Sequence, residues 1–567
     1  MQMTDLVIAI AWFVSFVGWV WFLIDRQKMP AAMAPLGAIC ILTLGVYAGA
    51  LAGLLFPVAL VLLAGGIGLF GWLAIHRSRA LLSIDLLLFG LGCAALYARY
   101  HSALLVVNDD FSHWGMMARH MLAHDRLPAV GDALIRFQSY PPATGCFLYY
   151  ACRFLGVSDG LLISVQAWVT LAGLMPLFAF VTRKGQLIQR AAVAAMLLIG
   201  LSLYHGTAAL TVDNLVGVLS IGAMCLLLWA HCHDGRGQLY GAAALALVAL
   251  VKDSGLFFVI CLALLYALAG FEKSSVKRCF SRLVYTGVPT LAARLAWYVH
   301  IKLAFPAADV SRHAMTLKNM RIMGADKSYE DMFTIAKRLF GEAFSTHNMA
   351  VEVLLLMLGV CAVIILLHRV LAGEWRILRY AAVPVTAAAV YAAWTVMMAL
   401  MYIFNMSVAN AMNLTSYERY NGTCVLFLYG ILAAWLLITA KQLPGWPAVI
   451  LTLVLLVPYV FGGMWTLGMP RLFEETYFVP LREQMEELSS MRRIRPGEKA
   501  AVIVETEDVT SFAEYMARYV FQADDIRVIA ADKAAQEDAA DLYFVASQII
   551  PELPGNAEII YLKDSSL

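Results

Sequence analysis

Runs of about 18–25 apolar residues recur along most of this chain, each long enough to cross roughly 30 Å of hydrocarbon as a helix. Nothing else in the sequence narrows the fold as far. Only closed hydrogen-bonded elements survive in lipid, so such runs dictate a polytopic helical bundle. Composition agrees: 62% of the 567 residues are hydrophobic and 14% charged, with a mean hydropathy of +0.75. A soluble chain of this size would divide into several cores with polar surfaces between them. The net charge of +2 gives no footprint for a nucleic-acid partner. Leu6–Leu23 lacks the basic flank of a cleaved leader and reads as the first span.

The predicted spans are 6–24, 33–53, 57–75, 81–100, 160–182, 188–206, 210–231, 239–251 with 255–270, 280–303, 351–370, 378–402, 422–440 and 446–467. Counting the broken segment as two short helices gives about 14 spans. That break is Val251-Lys252-Asp253-Ser254-Gly255, a polar turn between two antiparallel halves. Lys and Arg concentrate in Asp25–Lys28, His76–Arg79, Arg183–Arg190, His231–Gln238, Lys273–Arg282, His368–Arg379 and at Lys441. The positive-inside rule places these in the cytoplasm and both termini outside. Tyr140–Leu155 tests the scheme, because crossing it would turn every later basic loop outward. It is short for a span and reads as a helix at or dipping into the outer interface.

The tail changes character. Lys499–Val504, Ile526–Ala530, Leu542–Ala546 and Ala557–Tyr561 read as short buried strands, and Ser511–Gln522 as an amphipathic helix. Residues 471–567 are therefore expected to form a small extracytoplasmic α/β domain with a structural or docking role. The ten cysteines are scattered, mostly within apolar runs, and make no zinc-like spacing. His231-Cys232-His233 lacks a second ligand pair.

Chemistry gathers in the first outer loop, at Asn108-Asp109-Asp110-Phe111-Ser112-His113-Trp114. An amphipathic stretch, Gly115–Leu127, follows, and Tyr140-Pro141-Pro142 opens the next helix. A carboxylate here could act as a general base on an acceptor hydroxyl. Equally, Asp109 could cap a helix with Asp110 in its first turn. Three more outer features carry the same ambiguity. Asp213 starts a span, as a cap or a site carboxylate. Lys252 and Asp253 sit at the hairpin tip, as a mutual ion pair or a site cation and anion. Tyr417-Glu418-Arg419-Tyr420 precedes a span, as interface anchors or a cationic site. Together they place carboxylates and cations around one outer vestibule.

This ordered set resembles the GT-C superfamily of membrane glycosyltransferases that use polyprenyl-phosphate-linked sugars, such as the protein O-mannosyltransferases and the lipid A aminoarabinose transferase. The matching features are Asp109-Asp110 after an early span, Tyr140-Pro141-Pro142, Asp213, the interrupted Lys252-Asp253 hairpin and Glu418-Arg419-Tyr420. Asp110 stands where that pattern often has Glu. The resemblance covers roughly 81–440, with 81–303 as a seven-span module whose first outer loop is 101–159. Residues 1–80 are an unmatched transmembrane extension, 304–350 an outer loop or lid, and 351–470 the remaining spans.

The resemblance implies that Asp109 orients or deprotonates the acceptor (a glycan, lipid or protein), with Asp110 and His113 beside it. The donor phosphate would meet Arg419, Lys252 and Tyr420, with Asp213, Tyr140, Arg312 and Arg321 in support. No cofactor is required, although Asp109 and Asp110 could hold Mg or Mn with oxygen ligands. A bacterial inner membrane is the implied location. A lipid or polysaccharide transporter or flippase, and a non-catalytic envelope polysaccharide assembly factor, are the rival readings.

Overall fold

The computed structural model describes all residues except 1–2, 77–82, 133, 136, 182–185, 203–207, 234, 236, 271–274, 306–316, 374, 376, 444, 458–478, 496, 506–507, 509–510, 537, 547–552, 554–556 and 563–567. Arg312, the end of the last predicted span and the first residues of the tail therefore lie outside the described residues. Among the described residues, eight helices are long and apolar enough to cross a membrane. The chain is a helical membrane protein with a small C-terminal sheet.

The bundle opens with α1 (Met3–Asp25), α2 (Ala34–Leu51) and α3 (Leu55–His76). These are followed by α4 (Ile84–Tyr100), the short helices α5 (Gly115–His124) and α6 (Ala143–Leu155), and α7 (Asp159–Leu174), which continues as a 3₁₀ turn to Phe180. Next come α8 (Gln186–Ser202) and α9 (Asp213–Cys232). The broken hairpin is α10 (Gln238–Val251) and α11 (Gly255–Leu268), 14 residues each and too short to span singly. Then follow α12 (Val276–Ala304), α13 (Leu317–Ala325), α14 (Tyr329–Ala343), α15 (Met349–Ala372), α16 (Ile377–Asn405), α17 (Val408–Met412), α18 (Tyr417–Ala440) and α19 (Gly445–Leu453). The eight span-length helices are α1, α2, α3, α7 with its turn, α9, α15, α16 and α18.

Burial sorts them into layers. Every residue of α7 is buried, and α9 packs on it, on α10 and on α18. The approach of α9 to α18 needs Gly217, whose added Cβ would lie 2.8 Å from the Thr423 carbonyl oxygen. By contrast α3, α12, α15 and α16 turn residues such as Val61, Leu291, Leu358 and Val385 outward, the composition of a lipid-facing wall. The N-terminal three helices do not stand apart: α2 is largely buried and packs on α6, α7 and α10.

One expectation changes here. Helix α6 is short, as its sequence required, but Ala143–Cys152 are all buried. Protein from α1, α2, α5 and α7 covers it, so it is not a helix lying on the interface. A length of 13 residues lets it sit wholly inside the bundle, where its small and aromatic residues pack on all sides.

The tail adds α20 (Val479–Met491), β1 (Ala500–Val504), α21 (Ser511–Phe521), β2 (Ile526–Ala530), β3 (Leu542–Val545) and β4 (Glu558–Tyr561). The strands form one parallel sheet in the order β2-β1-β3-β4, with Val502 in register with Val528 and Phe544. The central strand, Ala-Ala-Val-Ile-Val, is buried throughout, as a parallel strand covered on both faces should be. One sheet face joins the main core through Val502, Phe544, Met516 and Tyr519. The other packs under Ala531 and Ala534 of the turn after β2.

Candidate functional site

Four charged side chains from four separate segments meet at one end of the bundle. Asp109 ends the link from α4. Asp213 is the first residue of α9, Lys252 is the extended residue joining α10 to α11, and Arg419 lies in the first turn of α18. Arg419 donates from Nη1 to Asp109 Oδ2 at 2.6 Å, and its Nε lies 3.4 Å from Asp213 Oδ2. Lys252 Nζ donates to Asp213 Oδ1 at 2.6 Å. The order is carboxylate, guanidinium, carboxylate, ammonium. Tyr420 closes the group, with both Lys252 Nζ and the Arg419 guanidinium 5.2 Å from its ring centroid. The Arg419 Nη2 also lies 3.4 Å from the Tyr420 hydroxyl.

This geometry decides several of the ambiguities left by the sequence. Asp109 makes no capping hydrogen bond, so its carboxylate is not spent on the helix that follows. Asp213 likewise makes no capping bond and is turned to the two cations. Lys252 does not pair with its neighbour: Asp253 binds Arg294 on α12 instead. Tyr417 is no interface anchor. It is buried, and its hydroxyl accepts from Asn348, the capping residue of α15, at 3.0 Å.

Asp110 behaves differently from its neighbour. It opens a single π-helical turn, Asp110–Trp114, and is fully buried. Its Oδ1 accepts from the Leu210 amide at 2.8 Å and its Oδ2 from the Val107 amide at 3.4 Å. It thereby ties the segment carrying Asp109 to the segment entering α9 and Asp213. Burial pushes its carboxyl well above the ordinary carboxylate range. Burial would also raise Asp109, but Arg419, together with Lys252, outweighs it and holds that carboxyl below its usual value. The acidic pair is thus one carboxylate held in the ion cluster and one internal brace.

His113 supports the loop from a box of rings. Its ring centroid lies 4.7 Å from Trp114, 4.7 Å from Phe137 and 4.9 Å from Tyr140. Its Nδ1 is 2.6 Å from Ser112 Oγ. Burial drives its pKa down to about 3, so the ring is neutral and shapes the loop without adding charge. Tyr140 stacks on Trp114 at 5.4 Å, where the tandem prolines begin α6. Arg321 lies exposed on α13, which packs on α16, and joins none of these contacts.

A divalent cation fits this arrangement poorly. Hard cations need several converging oxygens. Here Asp109 and Asp213 are interleaved with a guanidinium and an ammonium, and both Asp110 oxygens accept backbone amides. Among the described residues no group of three His, Cys, Asp or Glu converges.

Sequence reasoning missed the second ionic centre, at Asp159. Ser158 caps α7 in the ordinary way, and Asp159 stands in its first turn, where an acid needs no more than the helix dipole to explain it. Its partners lie as far away as Arg482, and no local pattern encodes that distance.

No protein-family model, curated protein or solved structure matches this chain.

Proposed function

We propose that this protein is a membrane glycosyltransferase that moves a sugar from a polyprenyl-phosphate-linked donor to an envelope acceptor hydroxyl. On this reading it is a GT-C-type enzyme of about fourteen spans in a bacterial inner membrane, with both termini and the ion cluster on the extracytoplasmic side. The observation that carries the reading is the Asp109–Arg419–Asp213–Lys252 chain, two fixed cations held by two carboxylates beside an aromatic ring.

Fixed cations in a site of low polarity are suited to a phosphate that gains charge as it leaves. The donor phosphate binds Arg419 and Lys252, making charge-assisted hydrogen bonds. Asp109 then loses the guanidinium that depresses its basicity. It accepts the proton of the acceptor hydroxyl while that oxygen forms a bond to the anomeric carbon. The bond from that carbon to the phosphate oxygen breaks on the opposite side, inverting the centre, and the polyprenyl phosphate departs with the bonding pair. Asp213 keeps the two cations aligned throughout, and Asp110 and His113 hold the loop.

The test compares wild type with Asp109→Asn for polyprenyl-phosphate sugar and glycosylated envelope product in cells. Donor build-up with loss of product, at equal protein level and melting behaviour, is expected. Equal product from both proteins would remove Asp109 as the base. One observation favours a second reading, a lipid transporter: α10 and α11 are half-length helices meeting at a charged residue. That reading predicts donor trapped on the cytoplasmic leaflet in the variant, whereas the transferase leaves it outside.

A further inference from the structure

The C-terminal domain meets the membrane body around a buried carboxylate. Asp159, at the head of α7, has a side chain only 3% exposed and accepts from four donors. Two belong to the first loop: the Leu105 amide at 3.1 Å and Arg119 Nη2 at 3.3 Å. Two belong to the C-terminal domain: Arg482 Nη2 at 2.9 Å and the Tyr519 hydroxyl at 2.8 Å. Leu105 and Arg119 bracket the segment that contains Asp109, Asp110 and His113.

Packing repeats the pattern. Phe111, two residues beyond Asp109, is buried edge-on against Phe512 at 5.6 Å and lies 5.8 Å from Tyr519. The Arg119 guanidinium sits 4.1 Å from the Tyr519 ring centroid and donates to the Tyr519 carbonyl at 3.2 Å. Gly115 leaves the room, since an added Cβ would stand 3.2 Å from the Tyr519 ring. Arg482 has no exposed side-chain surface, and its other anionic partner is Glu486 on its own helix at 2.6 Å. A buried guanidinium whose principal partner lies in another domain costs too much desolvation to be an incidental contact.

We propose that α20 and α21 form a clamp on the first outer loop, with Arg482 and Tyr519 as positioning residues for Asp109. Docked, the clamp fixes both flanks of residues 105–119 through Asp159 and presses on Phe111. Undocked, the loop keeps its brace at Asp110 but loses its outer wall. Turnover would then depend on the C-terminal domain. The functional half of this inference rests on the transferase reading; the mechanical half does not.

The experiment uses the full chain in four forms: wild type, Asp109→Asn, Arg482→Met and the gentler Tyr519→Phe. It reads amide exchange over 105–119 and over α9 and α18, and product formation in cells at matched protein level. The clamp predicts exchange over 105–119 faster by on the order of a hundredfold in Arg482→Met, since buried Asp159 loses its nearer cation and keeps only the longer contact to Arg119. Tyr519→Phe should show a smaller rise, exchange in α9 and α18 should stay unchanged, and product should fall in both variants. Arg482→Lys should restore part of it, because the charge returns without the planar fork. Unchanged exchange over 105–119 would overturn the clamp outright. Faster exchange with wild-type product, while Asp109→Asn is inactive, would overturn the positioning role. If Asp109→Asn is active, the transferase reading fails, and the mechanical clamp stands or falls on the exchange alone. Should Arg482→Met not fold, Tyr519→Phe decides on the same criteria.

Discussion

Asp213 is the residue whose removal should disturb the ion cluster most. Its side chain is 5% exposed, against 23% for Asp109, and it touches both cations. Asp213→Asn leaves Lys252 and Arg419 sharing Asp109 alone. Breaking a fully buried pair costs about 3–5 kcal/mol. Lys252 and Arg419 are 22% and 21% exposed, and solvent screening brings the expected loss to roughly 2–3 kcal/mol. Thermal unfolding in detergent micelles measures it. Two further results are expected of the same variant. Adding Lys252→Met should restore most of the stability, because no unpaired ammonium remains. Inorganic phosphate should stabilise Asp213→Asn more than wild type, since it can take the vacated carboxylate position. At tenfold over its dissociation constant the gain is about 1.4 kcal/mol. An Asp213→Asn protein as stable as wild type, and indifferent to phosphate, would refute the coupling of these four charges and with it the anion-site argument.

Two other perturbations probe the scaffold. His113 has an ordinary value of 6.5 and a folded value of about 3, so between those limits the unfolded loop binds a proton that the folded one refuses. Stability should therefore fall as pH drops below 6.5, by up to about 1.4 kcal/mol per pH unit. Melting curves between pH 7 and 5 should show the slope in wild type and a shallower one in His113→Gln, where His120, which burial also lowers to about 4, keeps its own share. Gly66→Ala places a methyl against Ser15 on α1. The overpacked crossing of α1 and α3 should lower the melting temperature at a cost of about 1–3 kcal/mol, and Ala at Gly68, where space is open, should not.

Local signals carried far in this chain, and their limit is sharp. The four strands of the tail and the helix Ser511–Phe521 fall within one residue of their hydrophobic runs. The break at Lys252 is where the polar residues interrupt the apolar segment. Asp109, Asp213, Lys252, Arg419 and Tyr420 do converge, because each sits at an end of a span and the ends share one side. What the sequence could not encode locally is which partner each charge takes. Proximity in the chain favoured Lys252 with Asp253, but the turn points the two apart, to Asp213 and Arg294. Asp109 and Asp110 look equivalent as letters, and the π-helical turn turns one inward. The burial of α6 depends on α1 and α2, helices nearly a hundred residues or more away in sequence whose packing no periodicity records.

The asymmetry of burial within the cluster sets an order of events. Asp213 is enclosed and tied to both cations, whereas Asp109 holds Arg419 through one contact and is the more exposed of the two carboxylates. An anion arriving from the open side competes with Asp109 first. Displacing Asp213 would strand a buried carboxylate, which costs several kcal/mol; displacing Asp109 moves a partly hydrated one. Phosphate entry therefore frees the residue proposed as the base and leaves the residue that aligns the cations in place. Under the transferase reading the base is quenched by Arg419 until a donor occupies the site, so donor binding and activation of the acceptor are a single step. An isolated acceptor would meet a carboxylate whose basicity the guanidinium has already lowered.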